Sequence, residues 1–365
     1  MTAGPVAVAP DVLPTLLVVP TGVGCAIGGY AGDAMPAARV LAAASGCLIT
    51  HPNVMNGAAL YWSDSRIQYV EGWALDRFAA GDLALRPVRR QRLGLLLDAG
   101  MEEDLRLRQL QVADGCRASL GLDIAAVVSS EVPLEVCLEQ GPSGASWGRL
   151  GHPDALLRAG ERLRDAGATA IAVVARFPED PAGEALAAYR QGSGVDPLAG
   201  AEAVISHLLS RHLRLPCAHA PALQPLPLQR GLDPRAAGEE LGTTFLPCVL
   251  VGLSRAPDLL PLQPDSTPSW GDGAVLCPES IGAVVAPAGA LGGEAVLASV
   301  ERGVPLIAVD NPCLLQVTAE ALALEQDGAV VLNASSYAEA AGLVLALREG
   351  LAPASLRRPF AGLAG

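Results

Sequence analysis

Short apolar runs alternate with amphipathic segments along most of the chain. The apolar runs predict buried strands, and apolar residues at helical spacing predict helices between them. Strands are predicted at 15–20, 46–50, 93–98, 124–129, 169–175, 247–252, 282–287, 304–309 and 329–332. Helices are predicted at 34–45, 101–119, 153–166, 198–213, 234–242, 294–302, 317–325 and 336–348. This alternation is typical of α/β proteins with parallel sheets.

The length and an internal similarity both predict two domains. The chain has 365 residues, which exceeds the usual size of one domain, and both halves contain a strand, a glycine loop and a helix in succession. We therefore predict two Rossmann-like domains, residues 1–150 and 151–348, with parallel sheets facing an interdomain cleft, and a tail at 349–365. The turn-rich segment 139–152 is expected to be a connector, a hinge or an active-site loop.

The stretch "VVPTGVGCAIGGYAGDAMPAARVLAAA", residues 18–44, places a glycine-rich loop between a strand and a helix. Glycine lets backbone approach a ligand closely, and a helix N-terminus offers free N–H groups, so the loop predicts an anion cradle. The alternative is a tight turn that lets the helix pack on the sheet. A dinucleotide fingerprint is incomplete, because Ile27 stands at the third glycine position and Thr50–His51 replace the ribose-binding carboxylate. No cofactor is expected.

Composition excludes several classes of function. All 25 basic residues are arginine and the net charge is −13, which excludes lysine-dependent phosphate binding and Schiff-base chemistry and argues against nucleic-acid partners. The eight cysteines lack metal-ligand spacing and predict reduced thiols in a cytoplasmic protein without a metal site. Residues 12–32 are uncharged, but prolines and glycines interrupt them, so no membrane span is expected. Homo-oligomer formation stays open.

Three residues are candidates for catalysis. His51 follows a predicted strand, where open α/β sheets bind ligands, and can serve as a general acid or base beside a carboxylate such as Asp33 or Glu71. Cys25 lies in the glycine loop near a predicted helix N-terminus, which would lower its pKa and make it a nucleophile. A turn-capping role for His51 and a packing role for Cys25 are the alternatives.

The candidate ligand-binding residues come from loops at predicted strand ends. Ser143 and Arg149 are expected to clamp a phosphate or carboxylate, and His219 is expected to line a pocket. The remaining candidates are glycines and polar residues of the two glycine loops and the second strand end: Gly22, Gly24, Gly28, Gly29, Asn53, Asn56, Gly289, Gly292, Gly293 and Glu294.

Two segments resemble GT-B glycosyltransferases, especially the peptidoglycan N-acetylglucosaminyltransferase family. In "GGYAGDAMPA", residues 28–37, the glycines, proline and final alanine match that family's first glycine loop, with Asp33 where the family has histidine. The segment "IGAVVAPAGALGGEAVLASVERGVPLIAVDNP" resembles its donor-nucleotide region, with Ala298 where the family has its ribose-binding glutamate. The resemblance implies a GT-B-like transferase with Gly292 and Gly293 on donor phosphates and His51 or Asp33 as base.

The whole chain also resembles an uncharacterised protein family found in cyanobacteria. The residues that carry this resemblance are "VVPTGVGCAIGGYAGDA", "LITHPNVMN", "YVEG" and "VPLIAVDNP". Together, these observations predict a soluble enzyme that binds a small anionic or nucleotide-like ligand in a cleft. A non-sugar hydrolase or isomerase using Cys25 or His51 and a non-catalytic small-molecule-binding protein are the alternatives.

Overall fold

A computed structural model describes residues 12–60, 63–180, 183–240, 245–262 and 275–359. Its larger sheet has six parallel strands in the order β14-β13-β12-β1-β2-β3. These strands are β1 (Thr15–Leu17), β2 (Leu48–Thr50), β3 (Ile67–Tyr69), β12 (Ala283–Pro287), β13 (Leu306–Val309) and β14 (Val331–Ala334). The order reverses between β1 and β12, as in doubly wound dinucleotide-binding folds.

A second parallel sheet has four strands in the order β10-β9-β5-β6. They are β5 (Leu93–Leu97), β6 (Ile124–Ser129), β9 (Ala170–Arg176) and β10 (Cys217–Ala222). Two antiparallel pairs complete the described strands: β4 (Leu83–Arg86) with β11 (Asp258–Pro261), and β7 (Val136–Gln140) with β8 (Ser146–Leu150). Mixed α/β architecture with parallel sheets is therefore confirmed.

Helices cover both faces of each parallel sheet. Those on the six-stranded sheet are α1 (Met35–Ser45) and α11 (Tyr337–Arg348), which pack together, and α3 (Gly72–Ala80) and α10 (Glu294–Glu301), which also pack together. The helices of the second sheet are α4 (Glu103–Leu120), α5 (Pro153–Asp165), α7 (Ala199–Leu213) and α9 (Phe245–Leu253). Shorter helices are α2 (Pro52–Met55), α6 (Glu184–Arg190) and α8 (Pro234–Glu240). None of the helices described is long and apolar enough to cross a membrane.

Two predicted elements are wrong in type. The apolar run 247–252 was expected to be a strand, but it lies within helix α9, whose residues are buried between α2, α4 and the second sheet. Periodicity does not distinguish a buried strand from a buried helix when nearly every position is apolar. The segment 317–325 forms successive turns rather than a helix. The segment 139–152 contains the end of β7, the hairpin turn and the whole of β8, rather than only a connector.

The strand pairing differs from the predicted division at residues 150 and 151. Each parallel sheet takes strands from both sides of that boundary, because β5 to β10 lie between β3 and β12 in the chain. The two glycine loops follow β1 and β12, which are neighbours in one sheet. The prediction that each glycine loop belongs to its own sheet, as in a GT-B arrangement, is therefore wrong. The start of the predicted tail packs back on the chain, where Arg357 contacts Glu339 of α11 at 2.9 Å, and its last six positions, 360–365, lie outside the described residues.

The glycines of the first loop are required by packing. Gly32 has φ of +81°, and a Cβ there would lie 1.9 Å from the carbonyl oxygen of Asn56. At Gly28, with φ of +91°, a Cβ would lie 2.4 Å from Val19. The loop is held against α2 by hydrogen bonds from the Gly32 N–H to the Asn53 carbonyl, 2.9 Å, and from Asn53 Nδ2 to the Gly28 carbonyl, 2.8 Å. These contacts support the tight-turn alternative.

We expect Gly32→Ala to lower the free energy of unfolding by about 3 kcal/mol or more, because it adds both backbone strain and a clash with backbone. Gly342 provides the matched control, since it lies in α11 and a Cβ added there would meet no atom within 4 Å. Gly342→Ala should raise the free energy of unfolding by up to about 1 kcal/mol through helix propensity. Urea denaturation measures both, and equal midpoints for the two variants would contradict this account of the loop.

Candidate functional site

A cavity of about 310 Å³ lies beyond the carboxyl ends of β1, β2 and β3. Its other walls come from α7, β10, α8 and α9, so it lies between the two parallel sheets. Three of the five histidines line it, namely His51, His207 and His219. Cavities of this size at the carboxyl ends of parallel strands are the usual ligand sites of α/β proteins.

Glu71 is the most deeply buried carboxyl group on the cavity wall. Its side chain is 3% exposed and caps helix α3, where Oε2 accepts hydrogen bonds from the backbone N–H groups of Trp73, at 2.9 Å, and Ala74, at 3.3 Å. Burial raises the pKa of Glu71 to about 8, although the two backbone hydrogen bonds oppose this. The side chain is therefore fixed in position and protonated at neutral pH.

His207 faces Glu71 from helix α7. Its Nε2 lies 3.1 Å from Glu71 Oε1, and its side chain is 44% exposed. Burial and the neighbouring His219 lower the pKa of His207 to about 4. At neutral pH the proton between Glu71 Oε1 and His207 Nε2 therefore resides on Glu71, and the neutral His207 ring carries its own proton on Nδ1. Gly72 makes room for the imidazole, because a Cβ there would lie 2.7 Å from His207 Nε2.

His51 lines the same cavity, and a backbone hydrogen bond to its Nε2 leaves only Nδ1–H free, as a donor. Its Nε2 accepts the backbone N–H of Val19 at 3.0 Å, so the proton of the neutral ring is on Nδ1. Burial and the nearby His207 lower the pKa of His51 to about 4. The ring is uncharged at neutral pH and offers no free lone pair, so it can donate a hydrogen bond but is poorly placed as a general base.

His219 is the third histidine of the cavity. Its Nδ1 contacts Ser206 Oγ, and its Nε2 lies 3.5 Å from Glu202 Oε2. Ser206 is only 2% exposed and lies within helix α7, so its hydroxyl orients the imidazole and is not presented as a nucleophile. The polar residues Glu202, Ser206 and His207 all line the cavity from α7, because Ser206 and His207 follow Glu202 by about one helical turn.

Carboxyl groups of the chain occupy the helix N-termini around the cavity. Besides Glu71 on α3, Asp76 Oδ1 accepts the N–H of Ala295 in the first turn of α10 at 2.9 Å. Asp196 Oδ1 accepts the N–H of Leu198 at the start of α7 at 2.8 Å. Burial raises the pKa of Asp76 to about 6 and raises that of Asp196 well above its ordinary value. Each of these N-termini is therefore already bound to an acid of the protein.

Backbone N–H groups of the glycine loop also donate hydrogen bonds to other parts of the chain. The Gly28 N–H donates to Asp33 Oδ1 at 2.5 Å, and the Ala31 N–H donates to Glu239. The Ala26 N–H donates to the Pro312 carbonyl at 2.8 Å, and the Ile27 N–H donates to Asn311 Oδ1 at 2.9 Å. The segment after β13 therefore covers the loop at the point where the strand order reverses. The predicted anion cradle is filled by the chain itself.

The cavity lining offers an anionic ligand no positively charged side chain among the described arginines. Its lining includes five acidic residues and, within the part of the chain that is described, neither arginine nor lysine. The acidic residues are Glu71, Asp76, Glu202, Glu239 and Glu294. No group of three His, Cys, Asp or Glu residues in the described ranges is arranged to hold a metal ion. The predicted anionic or nucleotide-like ligand therefore stays a prediction, and this cavity provides no described arginine to bind it.

Cys25 is not the activated thiol that the sequence predicted. It is 2% exposed, and burial raises its pKa to about 12, with the nearby Cys313 and Asp33 acting in the same direction. Asp33 lies outside the cavity lining and binds the Gly28 N–H, and burial raises its pKa to about 6. Neither residue is placed to act on a molecule in the cavity.

The cavity contains some of the predicted ligand-binding residues and not others. Those that line it are Asn53, Asn56, His219, Gly293 and Glu294, together with the catalytic candidate His51. Those that do not are Gly22, Gly24, Gly28, Gly29, Ser143, Arg149, Gly289 and Gly292. Arg149 instead pairs with Glu139 at 2.8 Å on the exposed β7–β8 hairpin, and Ser143 lies in the turn of that hairpin.

Sequence reasoning missed His207, Glu202, Ser206, Asp76 and Glu239 as site residues. A signal was present for the first three, because Glu202, Ser206 and His207 place polar groups about one turn apart on a predicted helix at 198–213. The pairing of His207 with Glu71 had no sequence signal, because the two residues lie on elements far apart in the chain that only the packing of α3 on α7 brings together.

The raised pKa of Glu71 makes a testable prediction about stability. An unfolded glutamate ionises near 4.5, whereas folded Glu71 does so near 8, so its protonation stabilises the folded state fully below pH 4.5. That contribution is lost as pH rises towards 8. Glu71→Gln keeps an oxygen for the Trp73 and Ala74 N–H groups and cannot ionise. We expect the wild type to lose on the order of 4 kcal/mol relative to this variant between pH 4.5 and 8.5.

The exposed pair Glu161–His212, 2.7 Å apart, is the matched control. Glu161→Gln should shift the pH dependence of unfolding by less than about 1 kcal/mol over the same range, because solvent screens this pair. Thermal and urea unfolding across this pH range provide the measurement. Parallel stability curves for the wild type and Glu71→Gln would rule out a protonated, buried Glu71.

Comparisons with known proteins identify the family. Residues 14–357 match a family described as "Protein of unknown function (DUF3326)". A relative from Synechococcus sp., named "Uncharacterized lipoprotein", is 54% identical over 345 residues, which are 94% of this chain and 93% of that protein. These similarities confirm the resemblance to an uncharacterised family that the sequence motifs indicated. The chain therefore belongs to the family described as Protein of unknown function (DUF3326).

Proposed function

We propose that the protein is an acid–base enzyme of the hydrolase or isomerase class that acts on a small polar molecule in the cavity. The observation that carries this proposal is the Glu71–His207 pair. Oε1 of the buried Glu71 carboxyl group lies 3.1 Å from Nε2 of His207, whose imidazole lines the cavity. An imidazole oriented by a second acid–base group is the common arrangement of proton-transfer sites, and in this protonation state His207 acts first as the acid. The opposite pKa shifts of the two groups are typical of such sites.

The pair supports proton transfer in both directions. When His207 gives its Nδ1 proton to a bound molecule, its Nε2 takes the proton of Glu71, and the resulting carboxylate keeps its two backbone hydrogen bonds. From that second state, Nδ1 accepts a proton, Nε2 returns its proton to the Glu71 carboxylate, and the resting state is restored. The neutral ring of His51 donates a hydrogen bond from Nδ1, and this donor suits a carbonyl or hydroxyl oxygen of the reacting molecule.

The charge of the cavity indicates the kind of molecule that it accepts. Its helix N-termini are occupied by carboxyl groups of the chain, and its lining has acids but no described arginine or lysine. A neutral molecule, or one that carries an ammonium group near Glu202 and Glu239, therefore fits better than a phosphate or carboxylate. Apolar walls from Leu75, Phe245 and Val249 provide room for a hydrocarbon portion.

We also propose that the protein acts in the cytoplasm. The described cysteines are free thiols, as expected in a reducing compartment. The Synechococcus relative is named a lipoprotein, but in this chain Cys25 is 2% exposed inside the loop that follows the central strand β1, so it is not available to carry a lipid. Cell fractionation tests the location: recovery of the protein with the membranes in low salt would contradict it.

A binding screen tests the ligand class. Small primary amines, diamines, amides and alcohols are compared with carboxylates and phosphates of the same carbon length by thermal unfolding at pH 7. We expect uncharged or cationic compounds to raise the melting temperature in a concentration-dependent way, because only ligands that bind the folded state do so. Stabilisation by the anionic compounds alone would contradict the proposed ligand class.

Turnover is tested on each compound that binds. Proton NMR in D₂O detects either hydrolysis of the compound or replacement of its C–H protons by deuterium. His207→Asn should keep the thermal shift but reduce the rate of either process by about 10²-fold or more. His212→Asn, on the same helix but outside the cavity, should change neither. Binding without conversion of any compound by the wild type would overturn the catalytic proposal in favour of a binding protein.

A further inference from the structure

The glycine loop and the segment after β13 form a short antiparallel pairing. The Ala26 N–H donates to the Pro312 carbonyl at 2.8 Å, and the Leu314 N–H donates to the Val23 carbonyl at 3.0 Å. The Ile27 backbone exchanges hydrogen bonds with the Asn311 side chain at 2.9 and 2.8 Å. These hydrogen bonds flank Cys25 on the glycine loop and Cys313 on the covering segment, so they bring the two residues together across the pairing.

The two thiols are in contact. A side-chain hydrogen bond links Cys25 and Cys313, and both are free. The flanking hydrogen bonds are offset by one residue, so both Gly24 and Cys25 lie opposite Cys313, as at a β-bulge. A disulfide requires two cysteines whose side chains face each other at short range, and the contact between these two thiols meets that requirement.

The two sulfurs differ in accessibility. Cys25 is 2% exposed, whereas Cys313 is half-buried, and its thiol contacts the Leu315 carbonyl at 3.6 Å at the surface end of the pairing. Asp33 lies near Cys25 and disfavours a thiolate there. A reagent from solvent therefore meets Cys313 first, and Cys25 is reached only through it.

We propose that Cys25 and Cys313 form a reversible disulfide when the protein meets a small-molecule disulfide such as oxidised glutathione. The Cys313 thiolate attacks one sulfur of oxidised glutathione, which forms a mixed disulfide and releases one glutathione thiolate. Cys25 then loses its proton to water and attacks Cys313 Sγ, which releases the second glutathione thiolate. The two protein thiols are oxidised by two electrons, and the reagent is reduced to two thiols, which take up the two protons.

This disulfide would join the glycine loop to the segment that covers it. That loop also holds Asn53, a cavity-lining residue, through the Gly32 and Gly28 backbone. The oxidised protein should therefore show slower amide hydrogen exchange at Ala26 and Leu314, whose N–H groups flank the disulfide, and a higher melting temperature than the reduced protein.

Peptide mapping tests the proposal on the full chain. The folded protein is incubated with oxidised glutathione at pH 8, unfolded in the presence of N-ethylmaleimide, digested without reductant and analysed by mass spectrometry. We expect a linked pair of peptides containing Cys25 and Cys313, about 2 Da lighter than the sum of the reduced peptides. Thioredoxin or dithiothreitol should convert it back. Cys137, which is half-buried on β7, serves as an internal control that acquires only a glutathione adduct.

Single variants separate the two roles. Cys25→Ser should stop the reaction at a stable glutathione adduct on Cys313, and Cys313→Ser should leave Cys25 as unreactive as the buried Cys47. Circular dichroism confirms that each variant is folded before it is treated. The proposal is overturned if the wild type gives a Cys137 adduct but no Cys25–Cys313 linkage, or if Cys25 reacts equally fast in the absence of Cys313.

Discussion

Burial of the Glu71 carboxyl group at the start of α3 is the constraint on which the site depends. Its oxygens are divided between two tasks, since Oε2 binds the backbone of α3 and Oε1 faces His207 on α7. Because the group is buried, it costs less free energy to keep it protonated than to keep it ionised. The same carboxyl thus caps one helix, fixes an imidazole from another and holds the proton that the pair can transfer.

This constraint extends to the other walls of the cavity. Asp76 and Asp196 bind the first turns of α10 and α7, and Glu239 binds the glycine loop, so the chain supplies its own carboxyl groups where a phosphate-binding protein leaves N–H groups free. The strand order of the larger sheet is that of dinucleotide-binding folds, yet the segment after β13 lies on the glycine loop. The sheet topology is therefore that of a dinucleotide-binding fold, but N–H groups of the glycine loop are bound by the chain itself and its glycines lie outside the cavity lining. Function depends on the residues of the site and not on the fold.

The alternation of apolar runs and amphipathic segments was sufficient to predict α/β architecture, parallel sheets and most of the helices. It failed at α9, where an all-apolar sequence has no periodicity to indicate a helix. It also left β3, β4, β7, β8, β10 and β11 and the helices α2, α3 and α6 unpredicted. The glycine loop was located correctly, but its glycines are required by packing within the protein, such as the close approach of Gly32 to the Asn56 carbonyl. Sequence alone does not distinguish a glycine that admits a ligand from one that admits a neighbouring backbone.

The site was only partly predictable for a related physical reason. His51 was recognised because it follows a strand, which is a local property of the sequence. His207 acquires its role from Glu71 across the contact between α3 and α7, and that contact depends on how the second sheet is inserted between β3 and β12. Likewise, the occupation of the glycine loop by acids of the chain could not be predicted, because the partners of its N–H groups are known only when those acids are placed in space.

The protonation state of the Glu71–His207 pair is the central claim, and NMR measures it directly. Protein labelled with ¹³C at glutamate carboxyl groups and ¹⁵N in histidine rings is titrated from pH 4 to pH 9, with Glu71→Gln and His207→Asn used to assign the signals. The account predicts a Glu71 carboxyl signal that titrates near pH 8 and a His207 ring that stays neutral down to about pH 4. A Glu71 carboxylate that is already ionised at pH 6 beside a positively charged His207 would contradict it.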